Sequence, residues 1–564
     1  LAQRGLTTPA LASAFFRPAA AQLHDPFLMK DMDRAVERLE RALGDDERIM
    51  IYGDYDVDGT TAVALVYSFL RHYTGNISFY IPDRYSEGYG ISFQGIDKAK
   101  ADGVTLIIAL DCGIKAVDKA KHAAQLGVDL IICDHHRPGD ELPQAVAILD
   151  PVRDDCPCPC KVLSGCGIGF KFMQAFAQRN GIEFSELEPL LDLVAVSTAC
   201  DIVPVTGENR VLMHLGLMRL NQHPRPGLKA MLELSTLRRH ATVTDLVFII
   251  GPRINAAGRI DHGSKAVDLL LSHDMVLAQE IGQHIDKNNT ERQGLDKDIT
   301  RQALEMMDTT VAFHDAWSTV LFHNEWHKGV IGIVASRLIE NHYRPTVVLT
   351  RSNGKAAGSA RSVKGFDVYE AISACADLLE QYGGHMYAAG LSLPLENVDA
   401  FRERFEEVVR RTLPEQLRTP EEEIDLEIPL NEVNTRLLAV IQHMAPFGPG
   451  NMRPVLLSRG VKDIGTARIV GADHLKLSLV DAAHPTHRFD AIAFRQGQHL
   501  DLVKSGQPFS VLYVLEENEW QGRITLQLNI KDIKPGIDGV LAAEYLPAPG
   551  STITNPVLHQ TQPT

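Results

Sequence analysis

No run of about 18 or more apolar residues occurs in the 564-residue chain, which excludes an α-helical membrane span. The opening stretch LAQRGLTTPALASAFF lacks the basic, apolar and small-residue regions of a secretory leader, so none is expected. It begins with Leu rather than Met, and a few native residues are expected before it. Positive charge is in deficit: 56 Lys and Arg face 72 Asp and Glu, a net charge of −16. That argues against a protein that coats nucleic acid indiscriminately, but it leaves room for a local basic groove. Clustered acids inflate the negative total, and bound cations would offset part of it. Cysteine is sparse, with eight residues and no C-x2-C pair. Cys112 and Cys133 lie beside acidic patches, and Cys200 and Cys375 fall in apolar helical stretches. This usage suits a reducing cytoplasm. The CPCPC run of Cys156, Cys158 and Cys160, with Cys166 nearby, lacks zinc-site spacing and is read as a plain loop. No internal repeat is visible.

The composition, 45% hydrophobic and 23% charged, is globular, and the length requires several cores. Six segments are expected: an N-terminal helical segment (1–46), an α/β domain (47–225), a helical connector (226–315), a smaller α/β domain (316–415), a β-rich domain with its lead-in (416–535), and a linker or disordered tail (536–564). In the first domain, β-branched-rich stretches at 48–54, 77–82, 104–110, 129–133 and 145–149 predict strands. Helical apolar spacing at 60–72, 93–102 and 115–126 falls between them. The alternation predicts a doubly wound parallel sheet, whose ligands bind beyond the carboxyl ends of the strands. The connector carries one long polar helix at about 274–308. The second domain shows strands at 318–323 and 345–350 around a helix at 329–341. After residue 446, five short strands in quick succession predict a small closed β-barrel of the oligonucleotide-binding type. The stretch 547–564 holds four prolines and no periodicity.

Acids gather where the parallel strands end: Asp54, Asp56 and Asp58 in IYGDYDVDG, Asp111 in IIALDCG, Asp134-His135-His136 in LIICDHH, and Asp201 in ACDIVP. Clustered carboxylates at buried strand ends repel one another and lose solvation unless a cation joins them. Hard divalent ions take oxygen ligands and accept an imidazole or two, so the pattern points to metal-dependent phosphoryl transfer. The alternate spacing in Asp54-x-Asp56-x-Asp58 suggests three carboxylates on one side of an extended segment, with Gly59 turning into a helix from Thr60. Adjacent histidines in a strand would point opposite ways. SGCGIGFKF (164–172) departs from a dinucleotide fingerprint at Phe170 and is read as a tight approach before a helix.

Other motifs suit phosphate. GPRINAAGR (251–259) brings Arg253, Asn255 and Arg259 together, with a structural salt bridge an equal reading. GSARS (358–362) offers Ser359 and Arg361. GGHMYAAG (383–390) offers Gly383 and Gly384 backbone N–H groups and His385. Arg84 and Tyr85, in DRYSEGYG, could touch substrate or simply brace a loop.

These motifs together resemble the DHH phosphoesterase superfamily. GDYDVDG, LDCG, DHH and ACDIVP match its four motifs, and GPRINAAGR, GSARS and GGHMYAAG match its nuclease branch with the DHH-associated domain. PFGPGN (446–451) followed by a barrel resembles the join found in the branch's bacterial single-strand-specific 5′→3′ exonucleases. Met452 departs from a proline common at that place. The resemblance implies two Mn2+ or Mg2+ ions held by Asp54, Asp56, Asp58, Asp111, His135 and Asp201, with Asp111 bridging and His136 on the phosphate. Arg84, Tyr85, Arg253, Asn255, Arg259, Ser359, Arg361, Gly383, Gly384 and His385 would grip the strand. It implies stepwise release of 5′-mononucleotides from single-stranded DNA in repair and recombination, with single-strand-binding protein and a helicase as partners. A cytoplasmic monomer is expected. The alternatives are an oligoribonuclease or cyclic-dinucleotide phosphodiesterase of the superfamily, a catalytically inactive DNA-binding scaffold, and a structural protein whose acids cap strands.

Overall fold

Five strands of the N-terminal region form one parallel sheet in a computed structural model that describes residues 1–536, apart from 236, 238, 311, 312, 314, 521 and 522. The stretch 547–564, expected to be a linker, lies outside the described residues. The strands are β1 (Ile49–Gly53), β2 (Ile77–Tyr80), β3 (Leu106–Leu110), β4 (Asp129–Cys133) and β5 (Ala147–Leu149), in the order β2-β1-β3-β4-β5. Period-two side-chain direction sorts their residues to two cores. Ile49, Ile51, Leu106, Ile108 and Leu110 pack on one face, while Met50, Tyr52, Ile107 and Ala109 pack on the other. The helices Val57–Leu70 and Gly165–Arg179 cover the first face, and Phe93–Ala101 and Val117–Gln125 contribute to the second. Both faces are therefore dry, which explains the near-continuous apolar runs. The order reverses between β1 and β3, so the carboxyl ends of these neighbours flank a switch point.

The expected strand positions hold, with ends one or two residues shorter. The connector's long helix runs Met275–Thr309 and is capped by Asp274, whose carboxylate accepts from Val276 N and Leu277 N. The second sheet is mixed, in the order β6 (Thr319–His323), β7 (Thr346–Ser352), β8 (Lys355–Arg361), β10 (Ala388–Leu393), β9 (Gln381–His385). Only β6 and β7 pair in parallel.

The chain divides into two compact units, residues 1–421 with 446–451, and residues 422–445 with the described residues from 452 onward. PFGPGN thus belongs to the first unit: Val205 N donates to Pro449 O at 2.7 Å, and a Cβ on Gly448 would strike Val205. In the second unit, β12 (Leu456–Asp463), β14 (His474–Asp481), β15 (Phe489–Ala493), β16 (Phe509–Trp520) and β17 (Arg523–Pro535) form a ring of pairings that the β12–β14 contact closes. Closure removes the exposed strand edge. Two short strands, β11 (Leu426–Glu427) and β13 (Arg468–Val470), add to the expected five.

Candidate active site

The first acidic motif is not extended through its length. The chain leaves β1 at Gly53, and the helix begins at Val57 rather than Thr60. Asp54 remains at the strand end. Asp56 caps the helix, its Oδ1 accepting from Gly59 N at 3.0 Å, and Asp58 sits in the first turn. Gly59 serves close approach rather than a turn, because a Cβ there would lie 2.4 Å from Asp54 O. Likewise SGCGIGF is the start of a helix, not its prelude. Ser164 caps it, and a Cβ on Gly165 would lie 2.6 Å from Asp111 Cβ.

That second helix points its first N–H groups at Asp58. Gly165 N donates to Oδ2 at 2.6 Å and Cys166 N to Oδ1 at 2.8 Å, while Ser197 Oγ donates to Oδ1 at 2.7 Å. The helix N-terminus thus steadies one buried carboxylate among several. Asp111, directly after β3, has φ of 59°, a left-handed backbone that Asp tolerates better than most residues. Asp201 follows the helix Leu191–Cys200.

These residues meet at His135. Its Nε2 lies 3.2 Å from Asp111 Oδ1, 3.6 Å from Asp201 Oδ2 and 3.7 Å from Asp58 Oδ2. Asp111, His135 and His136 form one grouping of ligand atoms, and Asp58, His135 and Asp201 another. The two histidines lie beyond β4, so the opposed arrangement expected of a strand does not arise; their rings are 4.6 Å apart. Asp54 and Asp56 fall outside both groupings, although burial and the Asp56 charge push the Asp54 carboxyl well up.

Asp134 is a positioning group. It accepts from Ile114 N at 2.9 Å, His135 N at 2.8 Å and His136 Nδ1 at 2.7 Å. Burial would raise its pKa, but these bonds and the His136 charge hold it down at about 2. Burial pulls the His136 imidazolium down, yet the Asp134 hydrogen bond and charge win and lift it to about 9. Tyr89 OH donates to Asp111 O at 2.9 Å and lies 3.2 Å from His136 Nε2.

The remaining acids are frustrated. Burial, then Asp58 and Asp56, push the Asp201 carboxyl up to about 9; burial and the same neighbours push Asp111 well up. Asp54 Oδ2 and Asp111 Oδ1 are sealed from solvent without a hydrogen-bond partner. Orphaned carboxylate oxygens beside an imidazole fit hard divalent cations.

The cationic candidates gather separately. Arg84 lies 4.6 Å over the Tyr55 ring. Tyr85 OH donates to Arg259 O at 2.5 Å, bracing the loop against the connector. Arg259 Nη1 donates to Gly329 O at 2.7 Å, and burial, then Arg84, Arg361 and Arg292, pull its pKa down to about 9. Arg361 Nη1 donates to Ser359 Oγ at 2.9 Å. A Cβ on Gly332 would come 2.9 Å from Ser359 Oγ, so the start of the Ile331–Asn341 helix abuts this pair. None of Arg84, Arg259, Arg292 and Arg361 forms an ion pair among the described residues. Crowded guanidiniums without acids, beside a helix N-terminus, suit phosphate.

Other candidates do not join them. Arg253 is committed to Asp286, Nε to Oδ1 at 2.9 Å, and to Ile249 O, the structural salt bridge that its motif allowed. Asn255, half-buried, makes no side-chain hydrogen bond among the described residues. Gly383 and Gly384 lie within edge strand β9, paired with Gly390 and Ala389, not in an anion-binding loop. Gly384 has φ of 149°, and a Cβ there would strike Ala388 O. His385, at the end of β9, stacks on His136 with ring centres 5.4 Å apart, linking the second domain to the acids. The cysteine loop is buried in the main core, and its thiols are free.

The DHH family N-terminal domain matches residues 48–198, the DHHA1 domain residues 311–411, and the RecJ OB domain residues 424–532. The chain is 38% identical to the single-stranded-DNA-specific exonuclease RecJ of Bacillus subtilis (strain 168), over 94% of this chain and 67% of that protein. It is 34% identical to the protein of that name from Escherichia coli (strain K12), over 90% and 91%. The crystal structure of RecJ in complex with Mn2+ from Thermus thermophilus superposes with a TM-score of 0.81 and 28% identity, over 94% of this chain and 74% of that one.

Proposed function

The chain belongs to the RecJ family of single-stranded-DNA-specific exonucleases, and from that premise we propose that it removes 5′-mononucleotides stepwise from the 5′ end of single-stranded DNA. It is a metal-dependent enzyme, with Mn2+ or Mg2+ as cofactor. The observation that carries the reading is the meeting of the buried carboxylates of Asp58 and Asp111 with Asp201 at His135, beside a further partnerless buried oxygen on Asp54. Asp111 would be shared by the two ions, and Asp54, Asp56, Asp58, His135 and Asp201 would complete their ligands. Bound there, two divalent ions supply Lewis-acid polarisation of the phosphate and a water of lowered pKa. The protein's own work lies around them. Asp134 keeps His136 protonated and oriented, so the imidazolium can donate to a phosphate oxygen. Tyr89 and His385 fix the His136 ring from either side. Arg84, Arg259, Ser359 and Arg361 grip the 5′ phosphate or its neighbours.

The barrel holds more of the strand by stacking and charge. The match to the RecJ OB domain disfavours a small-dinucleotide phosphodiesterase, and the full set of acids disfavours an inactive scaffold. No described helix is long and apolar enough to cross a membrane. A cytoplasmic monomer acting in repair and recombination beside single-strand-binding protein and a helicase completes the proposal. The test is single-stranded DNA labelled at either end, incubated with Mn2+. Release of labelled mononucleotide from the 5′ label first is expected; release from the 3′ label first, or of long fragments, overturns the polarity.

A further inference from the structure

A cavity of about 340 Å3 opens at the far end of the Val57–Leu70 helix, whose first turn carries Asp58. At 1.5 Å per residue this 14-residue helix puts it about 20 Å from the acids. Its floor is apolar, built from Phe69, Leu190 and Leu270, all buried. Tyr73, 45% exposed, forms a wall with its ring 5.4 Å from Phe69. A cavity of this size with an apolar floor, an aromatic wall and polar groups at its rim has room for a small ligand.

The polar groups fix the ligand's chemistry. Arg219 lines the cavity; its side chain makes no hydrogen bond or ion pair among the described residues, and its Nε is shut off from solvent without a partner. An Nε–H left so is costly unless something accepts from it. The carbonyl end of the helix gives an anion no help here, so positive charge must come from side chains. His72 and His273 stand at the rim as hydrogen-bonding groups, with His273 Nε2 accepting from Arg71 Nη1 at 3.2 Å. Glu186, the acid on the lining, can accept from an amino group on a planar ring.

We propose that this cavity binds a nucleoside monophosphate, with the phosphate on Arg219 and the base against Tyr73. The ligand's source rests on the proposed function, because stepwise exonuclease action would release such molecules beside the site. The enzyme would then carry a second, non-catalytic seat for its own product.

The test is equilibrium binding of dAMP to the full chain carrying Asp111→Ala and Arg361→Ala, which removes hydrolysis and weakens the phosphate grip elsewhere. One saturable site is expected, with deoxyadenosine and inorganic phosphate each binding far more weakly. Adding Arg219→Gln should weaken dAMP binding about tenfold or more, as loss of a charged hydrogen bond does, with an unchanged melting temperature. If that variant misfolds, Tyr73→Ala at the exposed wall is expected to weaken dAMP while sparing inorganic phosphate. No saturable dAMP binding, binding indifferent to both substitutions, or equal binding of inorganic phosphate alone would each overturn the site. Since binding is read directly on a hydrolysis-deficient protein, its failure is distinct from a wrong product assignment, which the labelled-strand assay reads.

Discussion

Two clusters of like charge lie in the first unit, and they are built by opposite devices. The acids around His135 come from successive strand ends and helix termini of one parallel sheet, and two of their oxygens have no partner. The arginines around Ser359 come from a loop, the connector and the mixed sheet, and each side chain with a hydrogen bond spends it on a neutral acceptor. One cluster is incomplete without cations and the other without anions. A substrate phosphate with its metal ions answers both; among the described residues no ion pair joins the two clusters, although the Arg84 charge reaches Asp54. His385 on His136, like Tyr85 on His327, bridges the two α/β domains directly.

The comparison breaks most visibly at Asp111. Asp111→Ala should abolish hydrolysis in Mn2+, since removing a bridging ligand raises the barrier by on the order of several kcal/mol. Without metal the same change relieves acid–acid repulsion, which offsets the cost of placing alanine in a left-handed backbone, so the melting temperature in chelator should change little. Activity above about a tenth of wild type, where a tenfold step is about 1.4 kcal/mol, would remove Asp111 from the centre.

Arg361→Ala is the corresponding cut on the cationic side. It should weaken binding to single-stranded DNA and reduce the log–log salt slope by roughly 0.7, one counterion's worth on a single strand, while Mn2+ binding is unchanged. An unchanged slope with a lowered melting temperature would make Arg361 a structural residue.

A smaller effect concerns pH. The Asp201 carboxyl, at about 9 in the folded metal-free protein, lies far above its unfolded value of about 3.9. A raised carboxyl contributes stability that is full below the unfolded pKa and is lost as pH rises through the folded one. Metal-free protein should therefore lose melting temperature between about pH 4 and 9. Asp201→Asn should flatten that loss, and saturating Mn2+ should offset it. A parallel fall in the variant and the wild type would assign the loss to other groups.

Arg253→Ala should have the least effect on DNA. With Asp286 as its partner, the expected outcome is a lower melting temperature and an unchanged salt slope; a reduced slope would return Arg253 to the phosphate grip.

How much of this could be read beforehand follows from what carries each signal. Strand alternation and the apolar faces are local, so all five parallel strands and the 35-residue helix stood in the pattern. Acid residues are conspicuous by type, and Asp58, Asp111, His135 and Asp201 converge. What escaped depends on chain segments far apart. Asp58 is held by N–H groups more than a hundred residues away, and Ser164 before a glycine-rich helix start is a cap signal that could have suggested it. Tyr89 gave no signal, since a tyrosine in a glycine-rich loop is unremarkable until the fold sets it against His136. Arg253 and Arg259 share one motif, and only the helix that packs on it shows which of them is spent on an acid.

The left-handed backbone at Asp111 decides which inactive protein can serve as a trap for intact DNA. Alanine silences the carboxylate but must take up a conformation it disfavours, whereas asparagine enters that region several times more readily than most side chains. Asp111→Asn would keep the shape of the side chain, the turn after β3 and the fit against Gly165. It is the better reagent for holding a captured strand still enough to be seen.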